Sequence, residues 1–179
     1  MLDAIMSLPQ DMKAVLSVVE DPYLEDEYKT LAAGALMHVL SASNAIPGMR
    51  GTLAYVDDVI VLRIALERCM KGSPEVMAKQ AEHSPELFGP LPEQMEAVRE
   101  YLGDLLKVLD KAVDELPELS HEGHTPSECA RDMDASTWLY DAVHEMLIAE
   151  LELDDDEVER ALRKVDTIRR PLEMRLSTT

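Results

Sequence analysis

Apolar residues recur at helical spacing through most of the chain, and a repeated start signal punctuates them. Asp21-Pro22, Ser73-Pro74, Ser84-Pro85 and Thr125-Pro126 each set a capping side chain ahead of a proline, whose missing amide hydrogen costs nothing at the first helical position. Between these marks, three-and-four spacing predicts helices over 8–20, 22–42, 52–71, 74–82, 92–115, 126–152 and 155–170. Thr52 is the expected N-cap of the third helix and Gly72 its C-terminal cap. No segment alternates with the period of two that a strand requires, and irregular backbone is left to 44–51, 83–92 and 117–124. The pattern describes an all-α protein, a single-domain bundle of six to seven helices over 1–179, without internal repeats. A chain of this length can bury a substantial core.

Two segments within 92–170 carry heptad stripes. Met95, Val98, Leu102, Leu105, Leu109, Ala112 and Leu116 follow one another at alternating steps of three and four, and Val158, Ala161, Val165, Ile168 and Leu172 repeat the pattern near the end. Such stripes face an antiparallel bundle core, or else a partner helix or a second copy of the chain.

Charge narrows the partners. Seventeen Lys and Arg against 36 Asp and Glu give a net charge of -19, so phosphate backbones are repelled and nucleic-acid binding loses its main driving term. The imbalance is uneven. Residues 150–159 hold seven carboxylates, whereas residues 160–179 carry six Lys and Arg against Asp166 and Glu173; that +4 leaves -23 on residues 1–159. The expected outcome is a solvated acidic turn ahead of the last helix, with the basic end folded back on the acidic body. The longest uncharged run, Thr30 to Met49, is interrupted by His38, Asn44, Pro47 and two glycines, which suits a buried helix and no membrane span. Cys69 and Cys129 stand far apart, and the start MLDAIMSLPQD has no signal-peptide pattern, so reduced thiols and a cytoplasmic location are expected.

The sharpest chemical clue lies in LSASNAIPGMRGTLAYVDDVIVL, residues 40–62, where Asp57 and Asp58 interrupt an apolar run. On a helix, Asp57 neighbours Leu53, Ala54, Ile60 and Val61, and Asp58 neighbours Ala54, Tyr55, Val61 and Leu62. Burying an ionised carboxylate there without partners costs several kcal/mol. Candidate partners are the amides of the preceding loop, Asn44 within it, and the guanidinium groups of Arg50 and Arg63. In that arrangement carboxylates and loop clamp each other; the alternatives are metal or substrate chemistry joined by His38, or a solvated pair. By itself His38, set among Leu36, Met37, Val39 and Leu40, reads as a hydrogen-bonded core histidine.

This stretch resembles the signature of the YkvA-like family, small bacterial helical domains of unknown function whose motif runs roughly S-P-I-D-L-I-P-D-F-I-P-V-L-G-Y-L-D-D. Ser41, Ile46, Pro47, Leu53, Tyr55, Asp57 and Asp58 match it without gaps. Ala42, Asn44, Gly48, Gly51 and Ala54 depart from it, and Asn44 and Gly48 stand where the family has two loop aspartates. The resemblance covers residues 28–70 and implies a helix-loop-helix core over 22–72. Nothing after Gly72 shares it.

Other motifs are weaker. YVDD occurs in reverse transcriptases on a β-hairpin, whereas here helix-period residues continue through Leu66. His121, His124 and Cys129 in HEGHTPSEC are candidate metal ligands, but no paired CxxC or second histidine pair completes a zinc pattern. Asp141 and His144 mimic half of a di-iron bundle motif. No nucleophile elbow or glycine-rich phosphate loop is present, and no motif calls for a cofactor. The leading functional expectation is a non-enzymatic, protein-interacting or regulatory protein whose acidic body or heptad stripe meets a basic partner or another copy. The alternative is a metal-binding protein or metal-dependent enzyme using Asp57 and Asp58.

Overall fold

A computed structural model of the chain describes residues 1–149 and 153–178. It is all-α, and the described residues contain no strand. The α-helices are α1 (Leu2–Met6), α2 (Leu8–Glu20), α3 (Asp26–Leu40), α4 (Ala54–Gly72), α5 (Pro74–His83), α6 (Pro85–Phe88), α7 (Leu91–Leu102), α8 (Leu106–Asp114), α9 (Pro126–Arg131), α10 (Met133–Ala149), α11 (Asp155–Leu162) and α12 (Arg169–Ser177).

Two helices form the centre. Every residue of α3 from Thr30 to Val39 is buried, as is every residue of α4 from Val56 to Leu66. A helix apolar around its whole circumference has to be covered on all sides, and α3 is covered by α2, α4, α9 and α10. Small residues allow this close approach. At Gly34 a Cβ would lie 2.9 Å from the Leu116 Cβ, so the 3₁₀ turn Leu116–Glu118 can rest directly on α3. α7 and α8 pack on α4, α1 and α11 meet near its start, and α12 lies across α8. No helix among the described residues is long and apolar enough to cross a membrane.

The helices outnumber the six or seven expected because three long segments break and because α1 and α6 form outside the expected segments. The segment 92–115 bends at Gly103, whose φ of +55° places it in the left-handed region, and a 3₁₀ turn over Gly103–Leu105 separates α7 from α8. The segment 126–152 breaks at Asp132, which leaves helical geometry (φ -109°, ψ 132°) and accepts the Ala135 amide at 2.9 Å, capping α10. Its expected end over 150–152 lies outside the described residues, as do Glu150 and Glu152 of the acidic run. The segment 155–170 stops at Leu162, and after a 3₁₀ turn at Val165–Ile168, α12 runs on to Ser177. Pro171, in the first turn of α12, has no amide hydrogen to continue an earlier helix.

The start signals are also corrected. Asp21-Pro22 ends α2 and begins no helix: Asp21 accepts the Tyr23 amide at 2.9 Å and the Gln80 side chain at 2.7 Å, and α3 starts at Asp26. Ser73 and Ser84 precede helices without capping them through their side chains, whereas Thr125 and Glu128 form a full capping box. Thr52 does not cap α4. Its hydroxyl donates to Glu157 of α11 at 2.8 Å, and a 3₁₀ turn over Gly51–Leu53 leads into the helix. Gly72 is the last residue of α4, and its reason is packing: a Cβ there would lie 2.0 Å from the Tyr28 ring. The expected loop over 83–92 contains α6.

The first heptad stripe is spent in the core. Met95, Val98, Leu102, Leu105, Leu109 and Leu116 are all buried, with Ala112 at the edge; of the second stripe, Val158, Ile168 and Leu172 are buried. Leu109→Ala should therefore lower the unfolding free energy by about 2–5 kcal/mol in urea titrations, with an unchanged elution volume. A change in oligomeric state without loss of stability would place the stripe at an interface instead.

Candidate metal centre

His38 sits in the last turn of α3, and Asp57 and Asp58 in the first turns of α4. The intervening loop must reverse direction within a few residues while Ala45, Ile46 and Met49 are buried. Positive φ at Ala42, Gly48 and Gly51 makes the turns. Buried loop amides have no helical acceptor, so the loop folds only where something else supplies one.

Asp57 supplies it. Fully buried, it accepts the Ile46 amide on Oδ1 at 2.7 Å, and the Ala45 amide on Oδ2 at 3.1 Å. The His38 Nε2–H donates to the same Oδ2 at 2.7 Å. From the far side, Arg175 of α12 donates to the Ala45 carbonyl at 2.8 Å. One residue of loop backbone is thus held by both α4 and α12.

Asp58 is the opposite case. It is 6% exposed, no donor among the described residues bonds it, and His38 Nε2 lies 3.8 Å from its Oδ1. Burial, and then the adjacent Asp57 charge, push its carboxyl up to about 8. Asp58 forms part of the wall of a cavity of about 540 Å³, together with Val39, Asn44, Met49, Tyr55, Met146 and Glu157.

The nitrogen of His38 and one oxygen from each aspartate lie within 4.8 Å of one another, the one group of three or more His, Cys, Asp or Glu among the described residues that could hold a metal ion. One imidazole and two carboxylates suit Mn, Fe, Co or Zn. The loop amides on Asp57 would act as the outer hydrogen bonds that fix a ligating carboxylate.

Other candidate residues go elsewhere. Arg63 pairs with Asp11 at 2.8 Å and not with Asp57 or Asp58. Arg50 is exposed on the cavity rim, and the Asn44 amide points to the Met49 carbonyl at 3.4 Å and not to either aspartate. His121, His124 and Cys129 do not assemble into a metal site. The two histidines bridge backbone to backbone, the His124 ring stacks on Trp138 at 4.2 Å, and Cys129 is buried with its thiol pushed up to about 11. His144 stacks on Tyr140 while Asp141 is exposed, so no di-iron half-site forms. Arg175 and Asp11 were not singled out by the sequence; Asp11 was detectable as a charge on the apolar face of α2.

Asp57→Ala would strand two buried amides and the His38 ring, and should cost about 2–4 kcal/mol in thermal or urea unfolding. Asp58 behaves differently. Its folded carboxyl keeps a proton up to about pH 8, whereas an unfolded one keeps it only to about 4. Its contribution to stability is therefore full below pH 4, falls as pH rises through that window, and levels off above 8. In chelator-treated protein Asp58→Asn should remove the fall, gaining roughly 2–4 kcal/mol on the wild type between pH 5 and pH 8; a difference that does not change with pH would contradict this. Comparison with known proteins gives no relatives to set beside this geometry: no family model matches the chain, and neither does any curated protein or solved structure.

Proposed function

We propose that the chain binds a divalent first-row transition metal through His38, Asp57 and Asp58. The observation that carries this reading is Asp58, a buried carboxyl without a hydrogen-bond donor, 3.8 Å from an imidazole nitrogen that already faces a second carboxylate. A cation between the three would take the place of the hydrogen His38 shares with Asp57 and of the proton on Asp58, and would turn the ionisation of Asp58 from a cost into a ligand bond. Three protein ligands leave coordination positions open, and the adjoining cavity has room for water or a substrate oxygen there. Metal-dependent hydrolysis is the enzymatic extension of this reading.

Chelator-stripped protein titrated with Mn²⁺, Co²⁺ or Zn²⁺ should melt at a higher temperature. A hundredfold excess over Kd corresponds to about 2.7 kcal/mol of stabilisation. Binding should weaken as pH falls, because Asp58 must give up its proton, and Asp58→Asn should bind far less tightly. A melting point indifferent to all three ions would end the metal reading.

The charge supports a second reading, a non-enzymatic protein that engages a basic partner. With the first heptad stripe buried, and Val158, Ile168 and Leu172 of the second buried too, the acidic surface is the feature that supports it, at -19 overall. Steering by such a surface is screened over about 8 Å at physiological salt, so association with a captured basic partner should slow at least tenfold between about 50 and 500 mM salt while dissociation changes less. A rate indifferent to salt would leave the charge a solubility feature. The YkvA-like resemblance of residues 28–70 fits either reading.

A further inference from the structure

The outward face of α10 carries a pattern of its own. At about 100° per residue, Tyr140, Met133, His144, Thr137 and Ile148 fall within about 80° of one another around the helix, on the side away from the buried Ala135, Leu139 and Val143. Met133 is 82% exposed, Ile148 86% and Tyr140 44%; these are three of the six large hydrophobic side chains exposed among the described residues. Scattered singly such side chains mean little, but gathered in one row they mark an interaction surface. The His144 ring stacks on Tyr140 at 4.0 Å while its Nδ1–H donates to the Tyr140 carbonyl at 2.9 Å, so the two rings stand as one fixed platform with little freedom left to lose on binding.

A second row runs beside the first. Asp141, Asp134 and Glu145 occupy the next sector of about 60° along one edge of the stripe. All three are exposed, and none forms an ion pair among the described residues. α10 holds no Lys or Arg of its own. An apolar stripe edged by one sign of charge is how a helix selects a partner helix: the stripe supplies burial, and the charged edge fixes orientation and excludes wrong partners. From Met133 to Ile148 the row runs about 22 Å, the length of four turns of a facing helix.

We propose that this face docks an amphipathic helix of a basic protein, one with apolar residues at three-and-four spacing and a row of Lys or Arg along the edge that meets Asp134, Asp141 and Glu145. The inference rests on the basic-partner reading of the acidic surface and gives that partner a place and a shape. Charge decides between occupants. A second copy brings the same acidic row, and when two α10 helices pack antiparallel about a two-fold axis both rows lie on the same side of the interface and repel. The -19 on each chain adds to this at long range. An anionic membrane surface or a nucleic acid meets the same repulsion.

Methyl-resolved NMR of the full chain tests it with two synthetic helical peptides of about 18 residues, enough for four turns and more. The peptides share one Leu stripe and carry either Lys or Glu along its edge. The Lys peptide should give saturable shifts centred on the Met133 and Ile148 methyls, and the Glu peptide should bind at least about tenfold more weakly. The triple change Asp134→Lys, Asp141→Lys and Glu145→Lys should reverse that preference. The same charge change at exposed positions of α5 and α6, Glu75→Lys, Glu82→Lys and Glu86→Lys, should leave the Lys peptide preferred. Tyr140→Ser with Ile148→Ser, both at exposed positions, should weaken the Lys peptide roughly tenfold in a protein that melts as the wild type does. Lys-peptide binding that the α10 charge change does not reverse, or that shifts other surfaces instead, would overturn this face as the dock while leaving steering by the overall charge intact. Absence of saturable shifts at millimolar Lys peptide would overturn it too, as would light scattering that finds the wild type paired and Ile148→Ser monomeric.

Discussion

The carboxylate of Asp57 is the point on which the rest of the structure depends. It is fully buried, and a charge withdrawn from water in this way is tolerable only when its lone pairs are taken up. Two loop amides and the His38 ring take them up. The dependence runs both ways, since those amides belong to buried backbone with no other acceptor. Without the carboxylate, the loop between α3 and α4 loses its reason to enter the core. Arg175 then ties α12 to the same turn through the Ala45 carbonyl, so the basic end of the chain reaches the same node.

Neighbouring residues on one helix meet opposite fates here. Asp57 points at donors, whereas Asp58, one position on, points at His38 and a cavity and finds none. Satisfaction makes the first a structural element; its absence makes the second a group with free chemistry. A rotation of about 100° per residue is enough to separate a fold determinant from a candidate ligand one position on. Farther along the same helix, Arg63 repeats the theme with Asp11, again with one side of the pair satisfied and one side left open. Thus α4 contributes two buried ionic nodes.

Much of the fold was legible as periodicity. α2 starts and ends where the pattern puts it, the uncharged run is a fully buried helix from Thr30 to Val39, Thr125 is an N-cap, and the first stripe faces the core. Helix breaks were not legible. Gly103 within a perfect heptad looks like a tolerated interior glycine, and its positive φ is decided by how α7 and α8 pack on α4. For the site, reasoning that a buried carboxylate and an unsupported loop complete one another describes Asp57 and does not describe Asp58. The assignment of Arg63 to the aspartates rested on nearness in sequence. Six residues on a helix is about 9 Å along the axis and about 120° away around it, and that arithmetic directs Arg63 elsewhere. Its partner Asp11 shows as a charge on the apolar face of α2, but it is remote in sequence and nothing local joins the two, just as nothing local joins Arg175 to the turn that it ties.

The central claim, that Asp57 holds the loop by its backbone, is tested most directly by amide hydrogen exchange of Ala45 and Ile46. Bonded to a buried carboxylate, both amides should exchange as slowly as those of α3 and α4, through openings near the global unfolding free energy. Exchange of the two at the rate of the exposed turn residues Gly48 and Gly51 would contradict it.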